Sequence, residues 1–118
     1  MTLPRPAPRE RFAAIDVGSN SIRLVVAEYD PVAGLTIIDE VKDQPRLARG
    51  LAATGILDDV AMARALETLD RMREVCERRG VKRIAAVATS AVRDARNGAL
   101  FLDRVRKRLG LPLRVIDA

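Results

Sequence analysis

A chain of 118 residues holds one domain with a single modest core and is too short for a complete two-lobed enzyme. Hydrophobic residues make up 48% of it but aromatics only 3%, which predicts a core of Ala, Val, Leu and Ile and leaves Phe12, Tyr29 and Phe101 too few to stack single-stranded nucleic acid. Lys plus Arg exceed Asp plus Glu by 21 to 16, a net charge of +5 that favours anionic partners, while the absence of histidine excludes His-based metal sites and His-dependent triads within the chain.

Residues 1–11 are basic and Pro-rich without the apolar stretch of a secretory signal, and read as a disordered leader to a domain over 12–118. From Phe12 to Val26, two strand-like apolar runs enclose Asp16-Val17-Gly18-Ser19-Asn20-Ser21. The turn formers Asp30-Pro31-Val32-Ala33-Gly34 lead to a third strand, Leu35 to Lys42, and complete an antiparallel meander. A loop from Asp43 to Gly55 follows, in which Pro45 and Gly50 argue against regular structure.

Met62, Leu66, Leu69 and Cys76 recur at helical spacing, with Asp58 as N-cap, Leu57 and Met62 placed for a hydrophobic staple, and Gly80 as the stop. Cys76 falls on the inner face, where it reads as a small buried hydrophobe and, having no partner, as a sign of a reducing compartment. Val81 to Ala88 reads as a strand whose second half is apolar on both faces, as in the middle of a parallel sheet. Asn97 caps a second long helix with Phe101, Leu102, Val105 and Leu109 on one face, and Leu113 to Ile116 forms a last short strand. The order β-β-β-α-β-α-β predicts an α/β mixed sheet, a meander extended by parallel strands, similar to the opening half of a ribonuclease-H-like lobe.

Three segments are candidates for chemistry. In the first, Gly18 lets backbone approach a ligand, Ser19, Asn20 and Ser21 supply short donors, and Asp16 at the end of an apolar run needs a cation or hydrogen bonds to offset its desolvation. An ordinary hairpin turn has the same composition. In the second, Thr89 and Ser90 follow a strand and begin a helix, with Arg93 available for a bidentate phosphate grip; a hydroxyl cap with a solvated arginine explains that segment equally well. In a third segment, the loop Arg46 to Leu51, the arginines could touch a polyanion, but a solvated loop is the favoured reading; Arg104 to Arg108 reads as the wet face of a helix. No segment reaches the length of a membrane span, and no helix-turn-helix or zinc-finger spacing points to a specific nucleic acid.

Taken together, Asp16 to Arg23, the loop Arg46 to Leu51, Val87 to Ala95 and the closing Val115-Ile116 resemble the exopolyphosphatase and guanosine pentaphosphate phosphohydrolase (Ppx/GppA) family, within the actin, sugar-kinase and Hsp70-like ATPase-fold superfamily. The resemblance implies removal of terminal phosphate from polyphosphate or guanosine pentaphosphate with magnesium, in the cytoplasm. It makes Asp16 the metal-organising carboxylate, places Gly18, Ser19, Asn20 and Ser21 in the first phosphate loop, and turns Thr89, Ser90 and Arg93 toward the phosphates. The chain departs from the family with Ala48 at a position usually glycine, and lacks the family's Gly-Glu-Glu segment and second Gly-rich phosphate loop; Asp117 falls short of the base glutamate's position. A non-catalytic N-terminal part is therefore expected, with a stand-alone anion-binding module or a sugar-kinase or Hsp70-type fragment as alternatives. A sheet cut after a short edge strand also predicts exposed apolar surface and self-association.

Overall fold

Alternation along the first two strands decides which way the sheet faces. Ala13, Ile15 and Val17 of β1 (Glu10–Val17) and Ile22, Leu24 and Val26 of β2 (Ile22–Asp30) are all buried on one side, while Ala14, Asp16 and Arg23 are exposed on the other. In the computed structural model, which describes residues 9–117, these strands are followed by β3 (Gly34–Asp43), α1 (Leu51–Thr54), α2 (Asp59–Arg78), β4 (Arg83–Ala88), α3 (Ser90–Asp94), α4 (Gly98–Leu109) and β5 (Leu113–Val115). The five strands form one sheet in the order β3-β2-β1-β4-β5, antiparallel from β1 to β3 and parallel across β1, β4 and β5. This is the ribonuclease-H-like half-lobe expected, with two short extra helices.

Helices α2 and α4 pack on each other and on the same face of the sheet. Asp58 caps α2 by accepting from the Ala61 N–H at 3.2 Å, Leu57 and Met62 are both buried beside it, and Gly80 leaves the helix with φ +67. The inward stripe of α2 runs through Met62, Ala65, Leu66, Leu69, Met72 and Cys76, and burial pushes the Cys76 thiol up from its ordinary pKa, so it is held as a neutral hydrophobe. Phe101 and Val105 fill the matching place on α4.

Four expectations are corrected. Strand β1 starts inside the expected 1–11 leader, at Glu10, because Arg11 is tied down by Glu28 Oε2 at 2.9 Å and by the Arg79 carbonyl at 2.7 Å; residues 1–8 lie outside the described residues. The loop after β3 contains the helix α1, a single turn between Gly50 and Gly55, both at φ +76. Strand β4 is covered on one face only: Ala86 and Ala88 are buried, but Arg83 and Ala85 are exposed. Asn97 begins α4 without capping it by its side chain.

The uncovered face carries Ala14, Ala85, Tyr29, Leu35 and Ile37, the last two 67% and 62% exposed, and the outer edge of β5 has no strand beside it among the described residues. No helix among the described residues is long and apolar enough to cross a membrane.

Among the described residues one polar side chain is buried, that of Thr68. The Thr68 hydroxyl donates to Asp43 Oδ2 at 2.8 Å, and that bond, with the Gln44 N–H and Arg71, holds the Asp43 carboxyl below the usual carboxylate range. A carboxylate with a lowered native pKa stabilises the fold fully at neutral pH and loses that contribution as the pH falls through its native value. Thr68→Val is expected to cost about 1 kcal/mol at pH 7, the half-exposed Asp43 limiting the loss, with the gap to the parent closing below about pH 4; urea denaturation at several pH values checks both the size and the sign.

Candidate anion-binding site

Because β1 and β4 are parallel neighbours, their carboxyl ends lie side by side, Val17 opposite Ala88. The hairpin turn Gly18 to Ser21 leaves one end and Thr89-Ser90 leaves the other. The Val17 carbonyl accepts from the Thr89 N–H at 3.1 Å and from its hydroxyl at 3.5 Å, and the Ser19 and Ser90 hydroxyls share a hydrogen bond of 3.1 Å. Two segments some 70 residues apart thereby become one surface at the strand ends, the place where open α/β sheets bind ligands.

The turn itself is built to present donors. Gly18 N–H donates to the Ser21 carbonyl at 2.9 Å, and a Cβ on Gly18 would sit 3.1 Å from that oxygen, so glycine is required by the tightness of the turn before any ligand is considered. The carbonyls of Ser19 and Asn20 are occupied by the N–H groups of Ala48 and Arg46 at 2.9 and 3.0 Å. The N–H groups of Ser19, Asn20 and Ser21 donate to nothing else among the described residues. Successive free N–H groups in a turn favour an anion.

Two expected residues stand differently from their reading. Asp16 is exposed, not buried, since strand alternation turns it to the open face between Ile15 and Val17; desolvation therefore gives no reason for a cation there. Its cross-strand neighbours are Val87 and Arg23, Arg23 is paired with Glu40, and Asp16 has no hydrogen-bond or ion-pair partner among the described residues. Arg93 is not a free grip: its Nε pairs with Asp94 at 3.2 Å and its Nη1 reaches the Ile116 carbonyl at 3.5 Å. No cluster of three or more acidic, Cys or His side chains is present among the described residues. Asp16 is a single carboxylate, which suits magnesium when waters and ligand oxygens complete the shell.

Sequence reasoning missed the braces around this surface. Asn97 Oδ1 accepts from the Leu57 N–H at 2.7 Å and its Nδ2 donates to the Leu57 carbonyl at 3.0 Å, while the Arg96 N–H and guanidinium bind the carbonyls of Gly55 and Thr54. Asn97 was visible as a cap residue, but nothing local names a partner 40 residues away. Gly98 is a second omission: a Cβ there would meet the Val92 carbonyl oxygen at 2.0 Å, so only glycine allows α4 to fold back against α3.

Fold and site define a ribonuclease-H-like domain that gathers hydrogen-bond donors at the ends of two parallel strands. A model of the Ppx/GppA phosphatase family matches residues 25–118. Over 116 residues the chain is 36% identical to the guanosine-5'-triphosphate,3'-diphosphate pyrophosphatase of Pseudoalteromonas atlantica, covering 98% of this chain and 23% of the relative. It is 32% identical over 106 residues to exopolyphosphatase 1 of Mycobacterium tuberculosis, covering 90% and 31%. A crystal structure of the Aquifex aeolicus Ppx/GppA family member superposes with a TM-score of 0.90 at 34% identity, covering 93% of this chain and 36% of that one. The chain belongs to the Ppx/GppA phosphatase family. It spans between about a quarter and a third of the length of these curated relatives.

Gly98→Ala tests the brace. It is expected to lower stability by about 2–3 kcal/mol through overpacking, and to raise amide exchange at Ser90 to Arg93 more than in β2; hydrogen exchange with mass spectrometry measures both.

Proposed function

We propose that this chain supplies one wall of the phosphate site of a phosphohydrolase that removes terminal phosphate from phosphoanhydride chains, inorganic polyphosphate or guanosine pentaphosphate. The observation that carries this reading is the 3.1 Å contact of Ser19 with Ser90, which joins the free N–H groups of the hairpin turn to the hydroxyls of the β4–α3 junction. Relatives named for each of the two substrates match the chain, and family membership sets aside the sugar-kinase and Hsp70-type alternatives.

In this reading Gly18 to Ser21, Thr89 and Ser90 hold phosphate oxygens. Arg93, anchored through Asp94 and Ile116, adds its remaining guanidinium N–H groups. Donors fixed before the ligand arrives neutralise charge without reorganising. Asp16 would hold magnesium through its water shell at the edge of the same surface, and the bound ion would offset charge on the phosphate oxygens. The chain by itself binds rather than turns over. Of the acids near these elements, Glu40 and Asp94 are already engaged by Arg23 and Arg93, and the unpartnered Asp16 is taken up by the metal in this reading.

Calorimetric titration with tripolyphosphate and magnesium tests the site. Ser19→Ala with Ser90→Ala is expected to weaken binding about tenfold, and Asp16→Asn to remove the magnesium dependence. Binding untouched by all three changes would place the anion elsewhere. A colorimetric assay should find no phosphate released from polyphosphate; release that Asp16→Ala abolishes would contradict the inactivity of the chain.

A further inference from the structure

The loop between β3 and α1 carries two arginines that the described fold leaves without work. Arg46 adopts φ +54, a left-handed conformation that a residue with a Cβ rarely takes, and it is the one non-glycine residue to do so among the described residues. The loop is held there by the bonds from Arg46 and Ala48 to the carbonyls of Asn20 and Ser19. Asn20, Arg46, Ala48 and Arg49 line a common cleft of about 290 Å³.

Neither guanidinium has a carboxylate or carbonyl partner among the described residues. Arg23, Arg71, Arg79 and Arg93 are paired with acids, whereas Arg64, Arg78, Arg83, Arg108 and Arg114 are unpaired among the described residues on other surfaces; what sets Arg46 and Arg49 apart is their place beside the turn. Exposed arginines alone would need no explanation. Two unpaired ones on a strained loop, bonded directly to a turn whose own N–H groups are free, form a cationic extension of that turn. The loop's two backbone bonds also cover the oxygens of the turn that would repel an anion.

We propose that Arg46 and Arg49 bind the inner phosphates of a phosphate chain whose end lies on Gly18 to Ser21, so that the site favours chains of three or more phosphates over orthophosphate. The inference rests on the reading of the turn as a phosphate site. It selects phosphates rather than a nucleobase, because the rings lie elsewhere: Phe101 is in the core, and Phe12 and Tyr29 sit at the opposite end of the β1–β2 hairpin.

The test is calorimetry of the full chain with orthophosphate and tripolyphosphate at constant ionic strength. The variants are Arg49→Gln, and Arg46→Asn with Arg49→Gln, asparagine being tolerant of the left-handed backbone. Arg64→Gln on the exposed side of α2 removes the same charge as a control. The double variant is expected to bind orthophosphate nearly as the parent does and tripolyphosphate about ten- to a hundredfold more weakly. Arg49→Gln should fall between them, and it leaves the backbone constraint at Arg46 untouched. Equal losses for both ligands, or no more loss than Arg64→Gln produces, would overturn the inference and leave the phosphate site standing. Tripolyphosphate binding that ignores Ser19→Ala with Ser90→Ala would overturn the site reading and the inference with it.

Discussion

The parallel pairing of β1 with β4 is the constraint on which the site depends. It sets Val17 beside Ala88, and the Val17 carbonyl then receives both polar groups of Thr89. A slip of one residue would turn Ile15 and Val17 outward and carry Thr89 away from the turn. Register is specified by the burial of Ala13, Ile15, Val17, Ala86 and Ala88 on one face. The same apolar contacts that stabilise the fold therefore fix the distance between two loops that share no local sequence.

That sheet is covered on one side. The connection from β3 to β4 carries α2 and that from β4 to β5 carries α4, and both helices pack on the same core face. The consequence for function is direct, since Asp16 belongs to the open face while the turn after it stands at the sheet's end. A carboxylate there is open to solvent, which differs from the desolvated acid that its apolar flanks suggest.

Much of this was legible from residues alone. Period-two alternation in 12–26, helical spacing from Met62 to Cys76, and Asp58 and Gly80 as punctuation all have local physical causes, and the elements they mark are present. Both motifs fall at expected strand ends, but the contact of Ser19 with Ser90 is not anticipated from either. What stayed hidden depends on distant partners or on what covers a strand. Strand β4 is apolar enough to be buried twice yet has one open face; Asn97 looks like a cap and serves as a brace for Leu57; Arg93 looks free and is held by Asp94. Arg46 carries no sequence sign of its left-handed backbone, because that conformation is imposed by bonding to Asn20.

If the hairpin turn and the β4–α3 junction form one anion site, both segments respond to the same ligand. Amide chemical shifts followed by NMR during titration with phosphate and magnesium test it most directly. Ser19, Asn20, Ser21, Thr89 and Ser90 are predicted to shift together along a single binding curve. Shifts confined to one of the two segments, or spread instead over the exposed arginines of α2 and α4, would contradict it.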